Sequence, residues 1–368
     1  MLSLKLSRMT PLASTQSLSR GRIPSLDGMR GICILLVLAS HTVGSSNFPR
    51  FYFLGGLAAI GLVVFFVLSG FLITTVLMRE HGRTGTISLK NFYIRRFLRI
   101  FPVAYLYISV IALLSFLGII GLRPHDLAFA VSYLMDFHHD RAWYLGHLWY
   151  LTVEEQFYLL WPATIAILGF RRGYFLAFAG LVFIPFTGMT ISRWFPRVSP
   201  GFDVPEGTAS ILTGCLLALS FQWMTSKRVF TSNLFSIVLL GAVALRLYTW
   251  NRGYSVHGFS YVINILVALA VFRCIAIPDD RLGSILNSKA LMFVGGLSYS
   301  IYVWQQLFLP PMPPGSSFPL NIIAALATAL CSYYLIERPC LNLKKRFART
   351  KFGPPVEVRA AALTDRIA

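Results

Sequence analysis

Charge is what this chain has least of. Only 13% of its 368 residues are charged and 56% are hydrophobic, where a soluble domain carries about 25% charged residues. So few charges cannot cover a water-facing surface, which excludes a soluble globular enzyme. Acids are scarcer still, 14 against 33 Lys and Arg, for a net charge of +19. Polar low-complexity tracts are sparse while aromatics reach 14%, which excludes a disordered chain. The five cysteines, Cys33, Cys215, Cys274, Cys331 and Cys340, are scattered without CxxC or zinc-like spacing, so neither a disulfide framework nor a metal site is indicated. What remains is an all-α polytopic membrane protein.

A membrane-spanning helix needs roughly 20 apolar residues. Ten such segments are expected, at about 28–46, 57–78, 100–121, 148–168, 174–192, 208–224, 234–250, 259–276, 290–309 and 319–337. Short turns rich in Gly, Pro or charge separate them and leave no room for a second domain. One set of alternate loops, with the flanking arms, carries 22 Lys and Arg; the other set carries six. Positive charge collects on cytoplasmic loops, so both termini are expected in the cytoplasm of a protein of the inner (plasma) membrane, surrounded by its lipids. The same rule accounts for the basic excess without nucleic acid.

Residues 1–22 are basic and lack the apolar core of a signal peptide. They are expected to form a flexible cytoplasmic arm, although a basic, acid-poor stretch also imitates an organelle presequence. The membrane domain then runs over 23–342, and 343–368 forms a basic, then disordered tail. Leu127–Phe137 is apolar but too short to span, so it is expected to lie at, or re-enter, the outer surface.

Ionisable groups at membrane depth are costly and are functional candidates by default. Twelve of the 14 acids fall in loops, tails or expected helix ends; Glu154 and Glu155, in HLWYLTVEEQFYLLWP, do not. Polar helix packing is the alternative to function for this pair. In LDGMRGICILLVLASHTVG, Arg30 and His41 are eleven residues apart. That spacing is about 20° past three turns and about 16.5 Å of rise, so both look out on one face. Taken singly, Arg30 suits snorkelling or pairing with Asp27, and His41 suits an interfacial histidine bonded to a carbonyl. Aligned, they suit the wall of a polar passage.

Lys90–Pro102 contains Arg95, Arg96 and Arg99. Positive-inside bias explains most such clusters, yet helical spacing puts Arg96 and Arg99 on one face as a fork for phosphates. The outer connection 122–147 ends in DFHHDRAWYLGHLWY, whose Trp143, Tyr144 and Trp149 offer ring faces that fit either a sugar or an interfacial aromatic belt. Adjacent His138, His139 and Asp140 diverge, which disfavours a metal site.

Together these pieces resemble the acyltransferase family 3 membrane proteins, which O-acylate sugars and other hydroxyl acceptors. The likeness runs from about Ile23 to Asn342. It rests on SLDGMRG with Arg30-x10-His41, GLVVFFVLSGFLI (61–73), YIRRFLRIFPV with Arg96-x-x-Arg99, HLWYLTVEEQFYLLWP (147–162), GGLSYSIYVWQ (295–305) and LIERP (335–339). Departures are Val63 where an acid is frequent, Tyr150 in place of serine, Thr152 in the second serine slot, and Gln305 in place of histidine. The resemblance implies a ten-helix core, an acyl-CoA donor at the cytoplasmic face and no permanently bound cofactor. It also implies reliance on Arg30, His41 and the arginine fork.

The expected function is therefore transfer of an acyl group, with acetyl first, from acyl-CoA to a glycan hydroxyl. In that scheme Arg95, Arg96 and Arg99 hold CoA phosphates and Arg30 guides the donor. His41 takes the acceptor's proton and Glu154 orients the imidazole. Gln305 supports the oxyanion, and Trp143, Tyr144 and Trp149 meet the acceptor. Some relatives carry a fused extracytoplasmic SGNH-type esterase domain. The 368 residues leave no room for one, so an extracytoplasmic partner protein is the expectation for that step. Succinyl transfer would call for a further cation, for which Arg246 is the candidate. A transporter or flippase is the main rival reading, and a silent scaffold the second.

Overall fold

A computed structural model describes residues 23–43, 45, 47–48, 57–194, 203–227, 241, 259–278, 280–309 and 317–349. The arm 1–22, the expected seventh span at 234–250, Arg246 and the tail beyond 349 lie outside the described residues. No strand occurs among the described residues. The major helices are α1 (Pro24–Thr42), α2 (Leu57–Thr84) and α3 (Leu89–Phe116). The short α4 (Asp126–Val131) and α5 (Trp143–Gly146) follow, then α6 (Leu148–Trp194) and α7 (Asp203–Thr225). The chain continues with α8 (Phe259–Ala276), α9 (Arg281–Leu286), α10 (Lys289–Trp304), α11 (Leu320–Ser332) and α12 (Arg338–Arg349). Five helical stretches among the described residues are long and apolar enough to cross a membrane. Large apolar side chains such as Leu160 (66% exposed) and Ile167 (79% exposed) point outward from them, as a lipid-facing surface requires.

Several boundaries differ from expectation, for physical reasons. Proline at the first helical position starts α1 at Pro24 instead of residue 28, because that position needs no N–H partner. The third helix begins at Leu89, capped by the Ser88 hydroxyl accepting from the Asn91 N–H, and so takes the arginine-rich stretch inside itself. That stretch was expected to precede a span starting at 100. The spans expected at 148–168 and 174–192 are the two arms of α6, which reverses at Gly169 (φ 78°, ψ 166°). Positive φ at this point suits glycine, and the returning Gly173 packs on Ile165 and Trp161. At the other end of the chain, Pro339 cannot donate to the preceding turn. A π-helical segment, Tyr333–Glu337, takes up the change. The helix then runs on to Arg349, past the boundary expected at 342.

The centre is built from α1, α2, α7 and α10. Small residues set the closest crossing: a Cβ on Gly295 of α10 would fall 1.8 Å from the Asp27 carbonyl oxygen of α1. The DGMRG and GGLS stretches are thus contact surfaces that bring two backbones together, as small residues do between membrane helices. This contact anchors the face that carries Arg30. Leu127–Phe137 forms α4 and a 3-10 turn at Met135–Phe137. Asp126, 1% exposed, ties this loop together by accepting from the Arg123 N–H (2.7 Å) and the Ala142 N–H (3.2 Å). His138 lies 2.9 Å from the Asp126 carboxylate and stacks on Phe129.

Candidate active site

Helix α3 carries Arg95, Arg96 and Arg99 about 9 to 15 Å in from its first residue. Burying charge at that depth costs several kcal/mol per ion unless it is paired, and the neighbouring helices supply the partners. Arg95 bonds Glu80 of α2 at 3.0 Å, and Glu80 also accepts from the Ser88 N–H at 2.9 Å. Arg96 bonds Glu155 of α6 at 2.9 Å and reaches Glu154 at 3.3 Å. Its guanidinium lies 3.6 Å from the centroid of the Tyr158 ring. Glu154 in turn accepts from the Ser69 hydroxyl and, at 2.8 Å, from the Tyr158 hydroxyl. Glu154 and Glu155 are therefore anchored to Arg96. The expected pairing of Glu154 with His41 is not formed, because Ser69, Tyr158 and Arg96 already occupy the carboxylate.

Arg30 and Arg99 are different. Neither has a carboxylate within ion-pair distance among the described residues, and the buried Arg30 Nε has no hydrogen-bond partner. Both line a cavity of about 180 Å³ with Ser69, Arg95, Arg96 and Tyr158. Glu337, 3% exposed, is held by the Ser300 hydroxyl at 2.6 Å and lies close enough to act on both cations. Four arginines thus share one concavity, and two of them keep their charge available for an anion. Glu80 and Glu337 were expected at the ends of their helices. Both are buried, because the helices continue beyond the apolar runs that bounded them in sequence.

A second cavity of about 40 Å³ continues from the first. The two share Arg30, Ser69, Arg96 and Arg99, and Phe65, Ile100, Tyr150, Leu151, Tyr299 and Tyr302 are among the residues that complete the second. On the other side of Tyr302 lies a third, of about 250 Å³, lined by His41, Arg141, Trp143, His147, Trp149, Tyr302 and Gln306 among others. Tyr302 is common to the second and third cavities. Its hydroxyl donates to the His147 carbonyl at 2.7 Å, and its ring lies 5.4 Å from that of Tyr150.

The histidine cavity is polar without being strongly charged. His41 meets Trp143 edge to face at 5.6 Å, and its buried Nδ1 has no hydrogen-bond partner. Gln305, fully buried, lies within hydrogen-bonding reach of the His41 imidazole, and its amide has no other partner among the described residues. His147 is fixed by its Nε2 at 3.0 Å from the Val303 carbonyl. The Trp143 indole N–H donates to the carbonyls of Gln306 (3.1 Å) and Leu309 (3.2 Å), which aims the ring. Trp149 also reaches the cavity. Tyr144 does not line it; its carbonyl accepts from the Tyr107 hydroxyl. Among the described residues no group of three His, Cys, Asp or Glu is spaced to hold a metal ion.

Arg30, Arg95, Arg96, Arg99 and Glu154 therefore come together at one end, and His41, Trp143, Trp149 and Gln305 at the other. Missed from sequence were Ser69, Tyr158, Glu337, Tyr302 and Gln306. Glu337 alone carried a usable signal, as an acid directly after an apolar run.

Comparison with known proteins follows this division. The family model described as an acyltransferase domain, Acyl_transf_3, matches residues 23–337, which spans every residue of both cavities. The chain is 27% identical over 361 residues to the peptidoglycan O-acetyltransferase OatA of Listeria monocytogenes, covering 88% of this chain and 57% of the relative. It is 28% identical over 362 residues to a protein of Staphylococcus aureus (strain COL) provisionally named as an O-acetyltransferase, covering 86% and 57%. A Bacillus subtilis protein, YrhL, provisionally named as a peptidoglycan O-acetyltransferase, is 27% identical over 356 residues, covering 86% and 54%. The chain thus spans a little over half the length of these relatives. No solved structure matches it. With the match extending over the whole helical core and both cavities, the chain belongs to this acyltransferase family.

Proposed function

We propose that the protein is a membrane-embedded O-acyltransferase that moves a short acyl group, acetyl first, from acyl-CoA to a hydroxyl of an exported glycan. One observation carries this reading. A cavity with two arginines that have no ion-pair partner among the described residues lies one tyrosine away from a cavity with a half-buried histidine. The first suits a polyanionic donor; the second, lined by aromatic rings and amides, suits a neutral hydroxylated acceptor.

In this scheme the basic end faces the cytoplasm of the inner membrane, as the positive-inside bias favours. Arg30 and Arg99 hold the donor's phosphates, and Arg95 and Arg96 complete the basic wall. The acceptor enters beside Trp143 and Trp149. His41 takes the proton from the acceptor hydroxyl as its oxygen attacks the thioester carbon. The C–O bond forms, the C–S bond breaks, and the proton passes to the departing thiolate to give free CoA. The Gln305 amide N–H has no competing partner, so it supplies a hydrogen bond to the oxyanion. Glu154 is a positioning residue, holding Arg96 in place.

The acceptor named for the Listeria relative is peptidoglycan, which makes cell-wall glycan the first to try. The test uses membranes containing the protein, labelled acetyl-CoA and glycan extract, comparing wild type with His41→Ala at matched folded abundance. Label in a base-labile glycan ester from wild type alone is the expected result. Label from both removes His41 from the chemistry. No label and no CoA release from either shifts the reading to a transporter, which would move its substrate without consuming acyl-CoA.

A further inference from the structure

The end wall of the donor cavity has dimensions that bear on which acyl group fits. The 40 Å³ extension holds roughly three water-sized probes. An acetyl group has three heavy atoms. Tyr150 is 5% exposed; its ring stacks on Phe66 at 4.1 Å and backs onto Phe65 at 6.5 Å. On the other side it meets Tyr302 at 5.4 Å. Tyr302 is held by its bond to the His147 carbonyl, which keeps Tyr150 from shifting toward it. Behind Tyr150 the packed rings of Phe66 and Trp149, 6.2 Å apart, leave it little room to retreat. A donor anchored among the arginines therefore brings its acyl methyl against the Tyr150 ring, with the thioester carbon beside Tyr302, the residue that the second and third cavities share.

We propose that Tyr150 is the acyl-length ruler of this enzyme, and that its ring restricts the donor to acyl groups of two to three carbons. The inference rests on the acyltransferase reading above and deepens it. Volume does the selecting. Close-packed interiors admit an added methylene only by forcing neighbours out of place. One methylene too many in an apolar pocket costs roughly 10- to 200-fold in kcat/KM. Serine at position 150 would remove the ring and open its volume, between Phe66 and Tyr302, to the extension. Ile100 and Leu151 line the extension with apolar surface against which the added methylenes of a longer chain would pack.

The experiment measures CoA release and ester formation with acetyl-, propionyl-, butyryl- and hexanoyl-CoA for wild type, Tyr150→Ser and Tyr150→Phe. Wild type is expected to lose about tenfold or more in kcat/KM on passing from acetyl to butyryl. Tyr150→Ser should raise the butyryl-to-acetyl ratio by at least about tenfold, whereas Tyr150→Phe, which keeps the ring, should keep the wild-type ratio. A wild-type profile flat to hexanoyl would overturn the ruler without touching the acyltransferase reading. So would an unchanged ratio in a Tyr150→Ser protein that still turns over acetyl-CoA. If Tyr150→Ser does not fold, Tyr150→Leu, which shortens the wall while keeping it apolar, must shift the ratio in the same direction, or the proposal fails. Wild type that consumes no acyl-CoA of any length defeats the acyltransferase reading itself, and the ruler with it.

Discussion

The arginine side and the histidine cavity meet at Tyr302, which lines both the arginine-side extension and the histidine cavity, yet they handle polarity in opposite ways. On the arginine side, full charges are kept and balanced. Glu80 answers Arg95, Glu154 and Glu155 answer Arg96, and Arg30 and Arg99 are left without an ion-pair partner among the described residues. On the histidine side, backbone carbonyls fix the polar groups: Val303 holds His147, and Gln306 and Leu309 hold Trp143. Paired charges at membrane depth make a stable frame, and the unpaired ones mark where an anionic ligand supplies the missing partner. Mostly neutral groups fixed by the backbone, with Arg141 as a lining cation held by the Met135 carbonyl, suit a partner rich in hydroxyls.

The contrast can be tested from each side. The largest effect is expected at His41. His41→Ala should lower acyl transfer by about 10²- to 10⁴-fold, the range of a lost general base, while acyl-CoA binding measured by filter retention persists. Loss of donor binding as well would merge the two cavities into one functional unit.

Next come the arginines, where paired and unpaired residues should behave differently. Arg99→Gln should raise the acyl-CoA KM by roughly 10- to 100-fold, the worth of a charge-assisted bond, with little loss of stability. Arg95→Gln leaves Glu80 buried without its cation, so it should cost about 3 kcal/mol of stability and change the donor KM less than Arg99→Gln does. Steady-state kinetics beside thermal melting in detergent separates the two; equal KM effects would mean that pairing does not govern donor binding.

A smaller change belongs to the acceptor side. Trp143→Phe keeps a ring but loses the two carbonyl bonds, and should weaken acceptor use about fivefold, near the ~1 kcal/mol of an ordinary hydrogen bond, more than donor use. Acceptor and donor titrations read the split.

The smallest effect lies in the loop that roofs the histidine cavity. Asp136 is pushed up from 3.8 to about 6 by burial, against the opposing bond from Gln156 and the nearby Arg141 charge. The folded protein therefore holds a proton that the unfolded chain has released between about pH 4 and 6. Stability falls as pH rises through that window and levels off above it. Asp136→Asn should flatten this stretch of the melting-temperature profile; an unchanged slope would assign it to another group.

Much of the fold could be read from hydropathy, because a lipid solvent forces apolar runs into helices. The positions of α1, α2, α7 and α10 follow the runs to within a few residues. Charge misled at α3: Arg95, Arg96 and Arg99 read as a loop cluster, since nothing in one segment tells where its counter-ions will come from. Glu80, 15 residues before Arg95, and Glu155, 59 residues after Arg96, supply them only once α2, α3 and α6 are packed. The same gap moved Glu154 in the reading from Arg96 to His41.

Hydropathy and residue spacing were thus enough to establish a helical membrane protein and to put Arg30, His41, Arg96 and Arg99 forward as candidates, because periodicity and transfer cost act within one segment. Pairing, and its absence, was decided in three dimensions. Which arginines are neutralised, which carboxylates are buried, and how Tyr150 meets Tyr302 all depend on side chains from different helices competing for the same few ångströms. Coulomb attraction and close packing act between segments that the linear order leaves far apart.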